Sequence, residues 1–305
     1  MATDTALRRL TDTLGSGKVL ADEPMSRHTT FRVGGPADIF LLPEAAEDVA
    51  EIVRVCREES VRLMVMGNGS NLLVRDGGLR GAVMQLGDRF AAVTVAGDSL
   101  TAQGGALLSR VAAEAYRQGL TGMEFASGIP GSIGGAVAMN AGAYGGEMQD
   151  IVQSVQAVAR DGSLFTLSKD SMEFSYRHSK ALAEGLVIVS VTLGLARGDL
   201  VQSKQLLDQY TAMRREKQPL EMPSAGSFFK RPCGYFAGKL IADAGLKGFR
   251  VGGAQVSEKH AGFLVNTGGA TAADIIALAG EVQRRVKELY GVELEMEVRL
   301  VGEDA

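Results

Sequence analysis

The sequence is short of cysteine, of histidine and of long apolar runs, and each shortage removes a class of protein. Two cysteines, Cys56 and Cys233, stand far apart in 305 residues. They form neither a disulfide framework nor a CxxC metal or redox motif, so no metal site is expected. A reducing cytoplasm suits them. The three histidines are His28, His178 and His260, and they carry no sign of a Ser-His-Asp arrangement. The longest apolar run, residues 186–196, is too short to span a bilayer. Basic charge is not in excess: the net charge is -4, and a nucleic-acid footprint would show as a basic domain. Asp4, Arg8 and Arg9 fall where a signal peptide needs an apolar core. These absences predict a cytoplasmic protein, with no membrane and no nucleic acid among its partners.

What is present is apolar residue and glycine. Apolar residues make up 46%, enough for a large core and too much for global disorder. The length suits two or three domains. Glycine occurs 39 times without a collagen-like period, which fits loops that wrap a large cofactor.

The densest glycine stretch is residues 127–146, with glycines at 128, 131, 134, 135, 142, 145 and 146. Each glycine costs roughly 1 kcal/mol against alanine inside a helix, so an ordinary helix interior is not expected. Interleaved Ile129, Ile133, Val137, Met139 and Tyr144 exclude a disordered linker. The reading is a packed backbone that something approaches closely, suited to a pyrophosphate; the alternative is a tight strand-to-helix corner. A second loop, Gly67-Asn68-Gly69-Ser70-Asn71, ends a strand of a strand–helix–strand unit, where open α/β sheets bind ligands. The third glycine of a dinucleotide fingerprint is missing, since position 72 is Leu. A phosphate-holding loop and a plain turn both remain open. Gly15-Ser-Gly-Lys18 is not a P-loop, because Asp12 replaces the first glycine and Val19 the Ser/Thr.

Local signals place the rest. Helices are expected over 4–14, 44–59, 107–117, 199–217 and 235–245. Strands are expected over 39–42, 62–66, 72–74, 82–86, two within 91–103, 152–160, 164–167, 186–195, 251–256 and 263–265. Thr271 with Asp274 reads as a capping box opening a last helix. Its apolar face is Ile275, Ile276, Ala279, Val282, Val286 and Leu289, and Gly291 closes it. Residues 292–300 alternate cleanly and predict a final strand.

Three polar segments then stand in one order: Ser175-Tyr176-Arg177-His178-Ser179, Ala225-Gly226-Ser227-Phe228-Phe229-Lys230, and Leu294-Glu295-Met296-Glu297-Val298-Arg299. Phe31-Arg32-Val33-Gly34-Gly35, Gly67–Asn71 and Gly128–Gly135 precede them. Together they resemble the UDP-N-acetylenolpyruvoylglucosamine reductases, also called UDP-N-acetylmuramate dehydrogenases, of bacterial cell-wall synthesis. The resemblance runs from about Thr29 to Gly302. It implies an α+β protein with an FAD-binding fold of the vanillyl-alcohol-oxidase type in two subdomains (1–86 and 87–198) and a C-terminal α+β substrate-binding domain (199–305). FAD is implied to be noncovalent, with NADPH and a UDP-sugar as the other partners and a monomer as the working form. Arg32, Gly67, Asn68, Gly69, Ser70, Asn71, Ser127, Gly128, Ile129, Pro130, Gly131, Gly134 and Gly135 are the implied cofactor contacts. The segment from Leu195 to Gly226 holds little beyond one helix. That resembles the shorter class of the family, which lacks an inserted tyrosine loop.

The implied reaction passes hydride to an enolpyruvyl double bond whose carboxylate takes up charge, and pre-aimed donors are needed there. Arg177 offers a planar fork that keeps its charge; read alone, it is equally a surface ion-pair arginine. Glu297 serves as a partner if it carries or shares a proton, and otherwise it is one solvated glutamate among three. The resemblance selects it over Glu295. Ser227 is the implied proton donor to carbon, where position outweighs acidity; a capping serine beside Gly226 is the alternative. Tyr176, Lys217, Lys230 and His260 are candidates for the substrate, or else packing and surface groups. An alcohol oxidase of the same fold and a non-enzymatic nucleotide-binding module are the competing functions.

Overall fold

The computed structural model describes residues 2–305, and these divide into two compact units. The first comprises residues 2–21, 38–68 and 81–213; the second comprises 22–37, 69–80 and 214–305. The units are discontinuous in sequence, so they do not follow the contiguous boundaries at 86 and 198. The helix Leu200–Lys217 stays with the first unit through Met213. Ser203 Oγ donates to Glu124 Oε1 at 2.6 Å, and Tyr210 stacks on Tyr144 with ring centroids 4.1 Å apart.

Two cores fill the first unit. One lies between the helices Ala2–Leu14 and Ala46–Glu58 and a four-stranded sheet. In that sheet Leu63–Met66 runs parallel to Leu79–Gln85. The other lies against a five-stranded antiparallel sheet. Val187–Gly194 is its central strand, between Val152–Val158 and Ser99–Gln103. Apolar residues on both faces suit that middle position, because both faces are covered.

The second unit packs the helices Ala237–Asp243 and Ala272–Tyr290 with a three-stranded sheet and a parallel pair, Leu72–Val74 with Arg299–Val301. The last helix starts where expected. Thr271 Oγ1 accepts from Asp274 N, and Asp274 accepts from Thr271 N, both at 3.1 Å. Asp76 adds what local sequence does not show: its carboxylate accepts from Ala272 N at 2.8 Å and Ala273 N at 2.9 Å. Amides left unpaired at a helix start are thereby satisfied, and negative charge there is favoured.

Four expectations are corrected. The glycine stretch does contain a helix, Ile133–Ala138, with Gly134 and Gly135 inside it. Residues 251–256 are not one strand; Arg250–Val251 and Ala254–Val256 form a hairpin turned by Gly252 (φ 52°) and Gly253, the two-residue loop that glycine permits. Residues 292–298 form no continuous ladder. They touch Phe229 through a single bridge at Met296, then switch partner, so that only Arg299–Val301 pairs as a strand. Leu289, assigned to the core face, is 60% exposed, because it lies in the last turn of its helix, beyond the buried run that ends at Val286.

Candidate active site

Within the first unit the two glycine loops meet. Asn68 Nδ2 donates to Pro130 O at 2.8 Å, and Gln85 Nε2 donates to Gly67 O at 3.2 Å. A Cβ on Gly67 would fall on Ser132 Oγ, and one on Gly134 would lie 2.8 Å from Gly104 O. Ile133 N and Gly134 N bond to Ala106 O and Gly104 O at 2.8 and 2.9 Å. At these two glycines a close approach is made by the chain itself. Gly135 differs: it is exposed, and its Cβ would meet nothing closer than 3.5 Å.

Gly69 and Asn71 serve the second unit. Gly69 has φ 63° and its carbonyl accepts from Thr30 N at 3.3 Å. Asn71 Nδ2 donates to Glu297 O at 3.3 Å, and Asn71 O accepts from Arg299 N at 3.0 Å. Asn71 thus anchors the segment that carries Glu297. Arg32 is exposed with φ 57°. Among the described residues, seven non-glycine residues have positive φ, and of these Arg32, Asn140, Tyr144 and Arg177 lie in the segments singled out for function. Strained backbone of this kind collects at functional sites.

Arg177 sits at the tip of a tight turn. Ser175 and His178 exchange both backbone hydrogen bonds at 3.1 Å, and Arg177 has φ 55°. Its guanidinium lies 5.3 Å from the ring centre of Tyr176, which is 66% exposed. Two side chains tie the turn to the glycine stretch. Asn140 Nδ2 donates to Ser175 O at 3.3 Å, and buried Ser179 donates Oγ–H to Ala138 O at 2.7 Å. Neither residue was singled out from sequence.

In the second unit Ser227 and Glu297 are brought together through one intervening residue. Ser227 is exposed and bridges to Phe263; Phe228 N donates to Gly262 O at 2.8 Å; Glu297 N donates to Phe228 O at 2.9 Å. Phe228 itself is buried, edge-on to Phe31 and Phe229. Of the substrate candidates, Lys230 forms an ion pair with Glu295, and Lys217 is exposed at its helix end. His260 is half-buried. Its Nδ1 accepts from Gly262 N at 3.1 Å, and burial lowers its pKa, so the ring is neutral with its remaining proton on Nε2.

The residues fit an FAD. Ser127 Oγ is buried without a hydrogen-bond partner, and leaving such a group unsatisfied costs about 1–3 kcal/mol. A phosphate or flavin oxygen would satisfy it. Among the described residues no cluster of metal-ligating side chains occurs, and no helix is long and apolar enough to cross a membrane.

Residues 37–168 match the FAD binding domain family. The fold is similar to 4-ethylphenol oxidase from Gulosibacter chungangensis, at 18% identity and TM-score 0.50, over 64% of this chain and 43% of that one. The molecule is therefore a flavoprotein of the vanillyl-alcohol-oxidase fold. Residues 218–301 match the UDP-N-acetylenolpyruvoylglucosamine reductase C-terminal domain. The reductase of Clostridium perfringens (strain 13 / Type A) is 50% identical over 94% of both chains, and that of Clostridioides difficile (strain 630) is 49% identical over 97% of both. The crystal structure of the Thermus caldophilus reductase is 36% identical with TM-score 0.79, covering 93% of this chain and 98% of that one. The chain belongs to the UDP-N-acetylenolpyruvoylglucosamine reductase family, FAD-dependent oxidoreductases of peptidoglycan precursor synthesis.

Proposed function

We propose that the chain reduces UDP-N-acetylglucosamine enolpyruvate to UDP-N-acetylmuramate with NADPH, using Arg177, Ser227 and Glu297 as its catalytic side chains. Bound FAD supplies the hydride relay between the nicotinamide and the enolpyruvyl group. The two glycine loops, with Ser127 and Arg32, hold that cofactor. Arg177 pairs with the substrate carboxylate through a charged fork, where removing one donor typically costs about 10²–10³ in rate. Glu297 works with it on the charge that develops. Ser227 delivers its proton to the carbon next to the carboxylate. Tyr176, Lys217, Lys230 and His260 line the substrate. His260 does so as a neutral Nε2–H donor, and Lys230 by leaving Glu295. The enzyme works as a monomer in the cytoplasm, and two unpaired cysteines, one buried and one exposed, suit that compartment.

The observation that carries this reading is the pairing in the second unit. An exposed serine directly precedes the buried Phe228, whose carbonyl accepts from the backbone N–H of Glu297. Anaerobic half-reactions test it. With Ser227→Ala, NADPH should still bleach the flavin, while reoxidation by the enolpyruvyl substrate slows by about 10²-fold or more. Normal reoxidation would remove Ser227 from the mechanism. Oxygen consumption driven by an alcohol would instead mark an oxidase.

A further inference from the structure

Asn140 is 2% exposed, and every polar group of its side chain is used. Nδ2 donates to Ser175 O at 3.3 Å and to Glu147 Oε2 at 3.0 Å, and Oδ1 accepts from Gln149 N at 2.9 Å. Two acceptors face the nitrogen and one N–H faces the oxygen, so the amide orientation follows from its surroundings. Only an amide fits. Aspartate would lose both donors and set a carboxylate against that of Glu147. The backbone adds a second constraint, because Asn140 has φ 42° and asparagine tolerates the left-handed region better than most residues. The residue stands just past the helix Ile133–Ala138, whose Gly134 closes on Gly104 and whose preceding loop closes on Asn68. Its partner Ser175 is the first residue of the turn that presents Arg177.

We infer that Asn140 is a positioning residue for Arg177, locking the arginine's turn to the glycine-rich cofactor segment. Ser179 Oγ, bonded to Ala138 O, is the second lock on the far side of the turn. The inference rests on the role proposed for Arg177. Without the amide the turn keeps its own two backbone bonds but loses one of its two side-chain ties to the cofactor segment. A guanidinium displaced by even an ångström binds the substrate carboxylate poorly as charge develops.

The test uses the FAD-loaded enzyme and anaerobic half-reactions, with Asn140→Ala, Ser179→Ala and Arg177→Ala alone and combined. Flavin reduction by NADPH should stay within about twofold of wild type in Asn140→Ala and in Ser179→Ala. Reoxidation by the enolpyruvyl substrate should slow about 10–100-fold for Asn140→Ala and in the same direction for Ser179→Ala. Added to Arg177→Ala, either substitution should change the rate by no more than about twofold, since a positioning residue has nothing left to position. A merely structural role would slow both half-reactions and multiply with Arg177→Ala, and that result overturns the inference. So does normal reoxidation in both Asn140→Ala and Ser179→Ala beside a crippled Arg177→Ala, which leaves the role of Arg177 standing. An Arg177→Ala enzyme with normal reoxidation overturns both. If Asn140→Ala does not fold, Ser179→Ala decides by the same criteria.

Discussion

Arg177 and the Ser227–Glu297 pair are held in place by opposite means. Arg177 stands on a turn with φ 55°, tied down by the side chains of Asn140 and Ser179. Ser227 and Glu297 stand on extended segments bonded to one another's backbone, with Phe228 pointing into the core between them. The first arrangement stores strain and depends on a few buried polar groups. The second depends on core packing and would tolerate most changes of exposed side chains. In the role proposed for Arg177, a positive charge that must meet a substrate at one angle gains from a stiff, strained mount. A hydroxyl and a carboxylate on extended backbone inherit their positions from the hydrophobic core behind them.

The sharpest way to break this contrast is to hollow the core. Phe228→Ala removes a side chain that is 1% exposed and should cost about 3–5 kcal/mol in urea unfolding. Substrate-driven flavin reoxidation should slow with it, because Ser227 and Glu297 lose their common support. Full stability loss with an unchanged reoxidation rate would show that the backbone bonds alone place the pair.

A smaller effect should separate the strained mount from the packed one. At Arg177 a glycine relieves the positive φ while an alanine does not. Arg177→Gly should therefore be about 1 kcal/mol more stable than Arg177→Ala in thermal unfolding, with both equally inactive. Equal stability would mean that the turn is not strained.

The smallest effect concerns pH. His260 packs edge-on to Phe263, the bridge partner of Ser227, with ring centroids 5.0 Å apart. Burial lowers its pKa below the ordinary 6.5. The unfolded chain then binds the proton more readily than the folded one. The stability contribution of His260 is full above its ordinary pKa and is lost as pH falls through the folded value. In His260→Gln the decline of melting temperature below about pH 6.5 should be shallower, with no change in slope above about pH 7. An unaltered acid slope would place the titration elsewhere.

Much of this was legible in the sequence. Thr271 and Asp274 announced a helix start, Gly291 a helix end, and the apolar run at 186–195 a strand. Three polar segments in order pointed to the family, and the serine and glutamate they contain do share one buried phenylalanine. Less legible were the reasons for the glycines. Gly67 and Gly134 read as places where something approaches the backbone closely, and only the fold shows that Ser132 and Gly104 make such an approach. Asn140 drew no notice, because a buried asparagine has no local pattern to mark it.

By itself the sequence determined where helices begin and end, which strands are apolar on both faces, and which polar residues could do chemistry. Those signals act over a few residues, through capping, periodicity and the freedom of glycine. Only the tertiary structure decided that residues 292–298 fail as a strand and that Arg299–Val301 lies beside Leu72–Val74. It also decided that Asp76 caps a helix starting at Ala272, and that Asn140 grips the turn beneath Arg177. The physical reason is that backbone N–H and C=O groups are alike in every residue. A partner far along the chain is chosen by packing and closure, which leave no imprint on the neighbouring letters.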